Sequence, residues 1–236
     1  MSKVFIFIPT LNEAGNVEEL ITTIFKIDPE FNILIVDDDS TDGTQEKILK
    51  LKETYKNLHY IFRKIRGRGS AQKEAYQYIL KQQCDYLIEL DADFSHNPSD
   101  IPRFLENITD CDMVIGSRLD AQSDQTHRKF YRKILTYLSN FYVKLIFSLP
   151  VKDYTSGYRC LRVECLKNIP VDNLFSTTPS ILEEILYIFC KRGYRIKEIP
   201  ICFSERKSGK TKLTVFDLMK IFVSIYRIKR YWNKVK

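Results

Sequence analysis

Three groups of acidic residues each follow directly on a short apolar run. Glu13 stands just beyond Val4–Ile8 in Pro9-Thr10-Leu11-Asn12-Glu13, Asp37, Asp38 and Asp39 close Ile33–Val36, and Asp91 and Asp93 follow Tyr86–Leu90 in Asp91-Ala92-Asp93-Phe94-Ser95-His96. Apolar runs of this length read as parallel strands, and their C-terminal ends share the sheet edge at which doubly wound folds bind ligands. Carboxylates gathered there repel one another unless a cation or hydrogen donors lie among them. An Asp-x-Asp pair holding Mg2+ or Mn2+ against a diphosphate meets that condition, because a hard ion takes oxygen ligands and leaves positions for phosphate oxygens. A lone Asp-x-Asp serves equally well to open a loop or cap a helix. Three acidic groups after three strands favour the metal, whereas Asp42, before Gly43, reads as a turn residue.

Basic residues fall in complementary places. Arg63-Lys64-Ile65-Arg66-Gly67-Arg68-Gly69-Ser70-Ala71 sets cations and two glycines before a helical pattern, where main-chain N–H groups can hold a phosphate; a solvated basic loop has the same composition. Arg118, after Met113–Ser117, arrives at the same edge as the carboxylates, and Arg128 and Arg132 begin the next helical stretch. Arg206-Lys207-Ser208-Gly209-Lys210-Thr211-Lys212 packs four cations into a short span, the composition needed to neutralise a departing diphosphate. His59, His96 and His127 form no metal spacing, and no Ser-His-Asp or Cys-His arrangement stands out. Phosphatases of the haloacid-dehalogenase type need paired Asp after the first strand, and sugar nucleotidyltransferases a Gly-rich loop there; Pro9-Thr10-Leu11-Asn12 supplies neither.

The elements that must position these residues alternate between strand and helix. Strands are expected at Val4–Ile8, Ile33–Val36, Leu58–Phe62, Tyr86–Leu90, Met113–Ile115 and Ile196–Phe203. Helices are expected at Asn16–Phe25, Gly43–Lys52, Ser70–Gln82, Pro102–Asn107, Lys129–Leu149 and Ser180–Lys191. Alternation of this kind predicts an α/β fold with a mostly parallel central sheet flanked by helices, and strands apolar along their whole length predict a sheet covered on both faces. With 236 residues, no internal repeat and no linker, the chain reads as a single domain, residues 1–212, followed by an amphipathic, basic C-terminal helix, residues 213–236. That last segment is expected to dock on a membrane surface through Leu213, Phe216, Phe222, Ile225 and their neighbours, with Arg227, Lys229 and Arg230 facing anionic headgroups. No apolar window approaches a transmembrane helix and no signal peptide precedes the first strand. Six cysteines without a CxxC pair suit a reducing cytosol. The net charge of +7 permits nucleic acid, anionic lipid or phosphorylated substrates as partners, or simply a solvated lysine-rich surface.

Taken in order, the motifs resemble the family-2 glycosyltransferases of the dolichol- or polyprenol-phosphate mannose synthase type. The resemblance runs through Pro9–Glu13, Val36–Thr44, Arg63–Ala71, Asp91–His96, Gly116-Ser117-Arg118, Asp153–Arg159 and Ile199–Phe203 with Arg206, Gly209 and Lys212. It implies a GT-A-like single domain acting as a metal-dependent hexosyltransferase, with Mg2+ or Mn2+ as cofactor. It implies a nucleotide pocket of Pro9, Leu11, Glu13, Val36 and Asp38, with Asp91, Ala92 and Asp93 at the ribose and metal-bound diphosphate and Ser95 as a further metal ligand. Arg206 and Lys212 would close over the diphosphate, and Arg118, Arg132 and Thr136 would face the acceptor phosphate, with Asp93 and Arg118 central to catalysis. The implied partners are a nucleotide sugar, GDP-mannose foremost, a polyprenyl or dolichyl phosphate, a membrane surface at its cytoplasmic face and, in some members, a separate membrane-anchoring subunit; nucleic acid is not among them. UDP-glucose and UDP-N-acetylhexosamine stay open as donors, as does a soluble acceptor, for which Glu184 is a conceivable catalytic carboxylate; the remaining alternative is a non-catalytic membrane-binding module. Leu11 replaces the family's usual aromatic residue, and Asp120–Asp124 is acidic where glycines are common.

Overall fold

The computed structural model describes residues 2–124, 129–204 and 215–235, with backbone alone for 215–220. Seven strands, β1 (Val4–Thr10), β2 (Asn32–Asp37), β3 (Leu58–Phe62), β4 (Tyr86–Glu89), β5 (Met113–Ser117), β6 (Arg159–Arg162) and β7 (Ile196–Pro200), form one sheet in the order β3-β2-β1-β4-β6-β5-β7. All neighbours run parallel except β6, which lies antiparallel between β4 and β5. Eight helices surround it: α1 (Val17–Ile27), α2 (Thr44–Thr54), α3 (Arg68–Ile79), α4 (Ile101–Asn107), α5 (Phe130–Phe147), α6 (Val163–Lys167), α7 (Ile181–Lys191) and α8 (Val215–Trp232).

Alternation along β1 divides the core into two layers. Phe5 and Phe7 point to one face and pack with α3, α5, α7 and α8, while Val4, Ile6 and Ile8 point to the other and pack with α1, α2 and α4. Because both faces are covered, every residue of β2 is buried, which explains its unbroken apolar run. The chain moves outward from β1 to β2 and β3, then returns to β4 on the other side of β1. This reversal opens a crevice at the C-terminal ends of β1 and β4, where ligands of such sheets lodge.

Two elements depart from expectation. β6 was not expected: it is four residues long, and its apolar pair Cys160-Leu161 is bracketed by Arg159 and Arg162. Arg159 is nevertheless fully buried, because its guanidinium donates to the carbonyls of Tyr154, Ser156 and Leu182. The strand expected at Ile196–Phe203 ends as regular structure at Pro200, but the chain continues extended, bridging Cys202 to Asp124 and Phe203 to His96.

The two glycines before α3 have a packing role. A Cβ on Gly69 would sit 2.2 Å from the carbonyl oxygen of Ser176 and 2.7 Å from that of Thr178, and Gly67 adopts φ 142°. The Gly69 N–H donates to the Thr177 carbonyl and the Gly67 N–H to Asp38, so these donors are not presented to a phosphate. Backbone rather than flexible side chain opposes the new methyl, so Gly69→Ala is expected to lower stability by about 2–3 kcal/mol, read as a shift of the urea midpoint at unchanged m-value.

Candidate active site

The second acidic group is neutralised from within. Asp37 is fully buried and accepts from the Thr10 hydroxyl (2.7 Å), the Ser40 N–H (2.9 Å) and hydroxyl (2.6 Å), and Gln45 Nε2 (2.7 Å). Asp38 accepts from Arg63 Nε at 2.6 Å and the Gly67 N–H at 2.7 Å. Asp42 accepts from the Thr44 N–H and hydroxyl, a turn that leads through Gly43 into α2. Glu13 accepts from Asn16 Nδ2 at 2.8 Å. Hydroxyl, amide and main-chain donors thus hold Asp37, and the Arg63 guanidinium with a main-chain N–H holds Asp38.

Among the expected nucleotide-pocket residues, Pro9 and Leu11 are half-buried at the end of β1 and the side chain of Asp38 is committed to Arg63. The Val36 side chain is not available to a ligand: it is wholly buried with Phe5, Phe7 and Tyr76, because it lies on the inner face of β2, so only its main chain can line a pocket. Ala92 is likewise buried, beneath the Asp91–Asp93 turn.

Asp91 and Asp93 occupy the mouth of the β1/β4 crevice. Phe94 turns the chain with φ 60°, and Asp93, buried, accepts from the Ser95 N–H at 3.1 Å. The Asp91 side chain is 42% exposed, and its Oδ1 lies 3.4 Å from Nη2 of Arg68. That contact is within ion-pair range but makes no hydrogen bond, and both Nη atoms of Arg68 are buried without a hydrogen-bond partner. The guanidinium sits over the Phe7 ring, 5.6 Å from its centroid, and a Cβ on Gly157 would lie 3.5 Å from Nη2. His96 packs beneath, stacked on Tyr158; its Nδ1 accepts from the Asp91 N–H, and burial pushes its pKa down despite Asp91 and Asp93 nearby. Two carboxylates and the Ser95 hydroxyl beside an under-bonded guanidinium fit Mg2+ or Mn2+, which take few protein oxygens and share the rest of their shell with water and phosphate. Among the described residues no group of three or more His, Cys, Asp or Glu is placed to hold a metal ion by itself.

Arg118 follows β5 at the same edge and is buried. Its Nε and Nη2 reach both oxygens of Asp153 at 2.8 and 2.6 Å, its N–H adds a third bond at 2.9 Å, and Nη2 also meets the Thr155 hydroxyl at 2.6 Å. Burial pushes Asp153 up, but Arg118 and Asn140 outweigh it and hold its carboxyl below the ordinary value. Asn140 Nδ2 reaches Asp153 (3.3 Å) and Thr155 (3.2 Å), and Asn140 Oδ1 accepts from the Tyr154 N–H at 2.6 Å. Arg132, Thr136 and Asn140 follow one another at i, i+4 and i+8 along one face of α5, and Asn140 is the one of the three that reaches Asp153. Arg132 itself stands near the start of α5 against the Tyr131 ring. Arg206 and Lys212 lie outside the described residues, although Ser204 N–H reaches the Ser95 carbonyl.

Four residues of this edge were not singled out from the sequence as functional side chains: Arg68, Asp153, Arg159 and Glu183. Arg68, Asp153 and Arg159 lay in motifs that the sequence showed, Glu183 only in an expected helix, and which of these side chains turns inward depends on β6 and α7. Glu184 is not placed for catalysis, since its oxygens accept from Trp232 Nε1 at 2.8 Å and the Ser176 N–H at 3.0 Å and so fasten α8 to α7.

The profile of Glycosyl transferase family 2 matches residues 5–169. The chain is 31% identical to undecaprenyl-phosphate mannosyltransferase of Micrococcus luteus, covering 90% of this chain and 88% of that one. It is 28% identical to polyprenol monophosphomannose synthase of Mycolicibacterium smegmatis, covering 90% and 81%. Dolichol-phosphate mannosyltransferase of Pyrococcus furiosus is 30% identical across 99% of this chain, which spans 65% of that longer protein. Among solved structures, glucosyl-3-phosphoglycerate synthase from Mycobacterium tuberculosis, in complex with Mn2+, UDP and phosphoglyceric acid, superposes with TM-score 0.68 at 15% identity, covering 96% of this chain and 77% of that one. This likeness shows the fold.

Glu183 gives the site a pH signature. It is buried on α7, one carboxylate oxygen has no hydrogen-bond partner, and burial pushes its pKa from 4.5 up to about 7, against the nearby Arg159 and Arg118. A carboxyl whose folded value is raised is harmless while protonated in both states, and its ionisation destabilises as pH climbs from the unfolded value to the folded one. Glu183→Gln is therefore expected to gain about 1–3 kcal/mol relative to the parent at pH 8 compared with pH 4. Denaturant titrations of both proteins at the two pH values provide the check.

Proposed function

The chain belongs to glycosyl transferase family 2, and we propose that it transfers a hexose, mannose from GDP-mannose foremost, onto the phosphate of a polyprenyl or dolichyl lipid. One observation carries the reading: Asp91 and Asp93 stand at the crevice mouth beside Arg68, whose buried Nη atoms lack hydrogen-bond partners. Carboxylates for a divalent ion and a guanidinium for oxyanions are the two halves of a nucleotide-diphosphate site. The three relatives, each named for transfer of mannose to a lipid phosphate, support the acceptor class. The Mycobacterium tuberculosis structures, some of which hold UDP-glucose and Mn2+, keep UDP-sugars among the donors to be tested.

In the proposed reaction an oxygen of the acceptor phosphate attacks the anomeric carbon from the face opposite the diphosphate. The carbon–oxygen bond to the β-phosphate breaks, and its electron pair leaves with the nucleoside diphosphate, so the anomeric centre inverts. A phosphate monoester is largely ionised at neutral pH, and its oxygen needs no proton removed. The work left to the protein is orientation and charge stabilisation. Asp91 and Asp93, with Ser95, would hold the Mg2+ or Mn2+. That ion, when bound, neutralises charge on the leaving diphosphate. Arg68, beside Asp91, would supply donors to the diphosphate. Arg118, fixed by Asp153, and Arg132 and Thr136 on α5 orient the acceptor phosphate. Arg206 and Lys212, outside the described residues, complete the donor side in this scheme.

The acceptor lipid brings the chain to a membrane, and α5 offers the surface. Opposite its buried face, Ile134, Leu138, Phe141 and Leu145 form an exposed apolar stripe, with Phe141 68% and Leu145 70% exposed. An outward apolar stripe beside Lys133 and Lys144 suits the interfacial layer of a bilayer. No helix among the described residues is long and apolar enough to cross a membrane. In the C-terminal helix Ile225, Ile228 and Trp232 of α8 turn into the core and Lys229 donates to the Ile146 carbonyl, while Phe222, Val223 and Tyr226 are exposed.

A panel of radiolabelled nucleotide sugars, incubated with polyprenyl phosphate and Mn2+ and followed by lipid extraction, tests the reaction. Absence of label in the lipid phase with every donor rejects it. Asp93→Asn is expected to abolish transfer and to weaken Mn2+-dependent nucleoside diphosphate binding at least about tenfold, about 1.4 kcal/mol, by calorimetry. Replacing Phe141 and Leu145 together by Asp is expected to remove most vesicle association in flotation while nucleotide binding stays within about twofold, because both side chains already face solvent.

A further inference from the structure

An open cavity of about 660 Å3 lies away from the crevice, between α8 and the loop before α7. Its lining is Phe175, Tyr226, Arg227, Arg230, Tyr231 and Lys234. Arg227, Arg230 and Lys234 recur at i, i+3 and i+7, so one face of α8 and its short extension carries all three, while Ile225, Ile228 and Trp232 turn into the core. None of the three cations makes an ion pair or side-chain hydrogen bond with a described residue. Phe175 and Tyr231 meet edge-to-face with centroids 5.2 Å apart, and the adjoining segment, Ser176–Thr178, packs on the Gly67–Gly69 turn that carries Arg68.

We propose that this cavity is a binding site for the headgroup of an anionic phospholipid, separate from the acceptor site. The inference rests on the membrane reading above. Three cations converging with no carboxylate among them call for a strongly anionic group, and phosphate matches guanidinium geometry. Three aromatic rings sharing the wall add an apolar demand that inorganic phosphate does not meet but the glycerol and acyl roots of a phospholipid do. The lining has no amide or carboxylate side chain to read a nucleobase. The same helix continues into exposed Phe222 and Val223, which would lie in the same interfacial layer as the bound headgroup. A lipid seated here would order the loop that packs against the start of α3.

Trp232, the chain's single tryptophan, reports on the site, since its indole lies 5.0 Å from the Tyr231 ring. The full chain is titrated below the micelle concentration with short-chain phosphatidylglycerol, short-chain phosphatidylcholine and inorganic phosphate, following Trp232 fluorescence and, independently, calorimetric heat. Saturable binding of phosphatidylglycerol at least tenfold tighter than of the other two is expected. Changing Arg227, Arg230 and Lys234 together to Gln should weaken it at least tenfold, with circular dichroism and detergent-solubilised transfer activity unchanged. Phe175→Ala should weaken phosphatidylglycerol but leave phosphate binding as it was. Equal affinity for inorganic phosphate would reassign the cavity to a free anion, and unaltered lipid binding in the triple variant, or no saturable binding at all, would overturn the proposal. Flotation of the variant altered at Phe141 and Leu145 reports on the membrane reading separately, so the two failures are told apart.

Discussion

Asp153 is buried, and four parts of the chain converge on it. Arg118 grips it from the end of β5, Asn140 reaches it from α5, Thr155 joins through its own loop, and the N–H groups of Lys152 and Asp153 donate to Glu198 on β7. Removing a carboxylate from water costs several kcal/mol, and only good geometry with its lone pairs satisfied offsets that. Here Arg118 supplies three bonds and Asn140 a fourth. Loss of one partner would leave a charge buried alone, which generally costs about 3–5 kcal/mol. Through Asn140 this carboxylate fixes the middle of α5, alongside the burial of Val143 and Phe147 in the core.

The charges at the sheet edge are divided by how they are satisfied. Asp37 and Asp38 are consumed by hydroxyl, amide, N–H and guanidinium donors, and their role is to shape the β2 turn. Glu89 sits deeper under the crevice, accepting from Tyr76 at 2.5 Å and Gln72 at 3.0 Å, with burial raising its pKa. Asp91, by contrast, keeps a solvent-facing carboxylate beside Arg68. The carboxylates of Asp37, Asp38 and Glu89 are thus turned toward protein donors, whereas Asp91 stands at the surface beside a guanidinium whose two Nη atoms are buried without a hydrogen-bond partner.

The two long helices each bury an apolar face and also expose apolar side chains, an unbroken stripe on α5 and, on the described part of α8, Phe222, Val223 and Tyr226 interspersed with Arg227 and Arg230. They support each other, with Tyr142 of α5 donating to the Phe222 carbonyl of α8 at 2.9 Å and the two rings packed edge-to-face. Glu184 ties α8 to α7 through Trp232. Function on a lipid surface would explain why apolar side chains remain outside a domain whose core is already complete.

Much of the fold was legible in the chain by itself. Apolar runs covered on both sides marked β1 to β5, and their alternation with helical patterns determined a parallel sheet and therefore the edge at which Asp91, Asp93 and Arg118 meet. The residue types, two carboxylates one residue apart and guanidinium groups nearby, determined the chemistry. Tertiary structure decided which of these side chains are available. Nothing local tells Asp37 from Asp91; the first meets Thr10 and Gln45 only once β1 and α2 pack, and the second meets Arg68 only when the 176–178 loop presses the Gly67–Gly69 turn into place. β6 escaped because a strand of four residues flanked by arginines carries no apolar period, and Arg159 is buried where two carbonyls of the preceding loop, Tyr154 and Ser156, meet that of Leu182 on α7. The apolar positions of α8 could not be sorted into core and surface from spacing alone, since apolar residues recur on more than one side of it; contact with α5 and α7 assigned Ile225, Ile228 and Trp232 to the interior and left Tyr226 outside. Composition and periodicity act over a few neighbours, whereas the satisfaction of a buried charge depends on groups that only the folded chain brings within hydrogen-bonding distance.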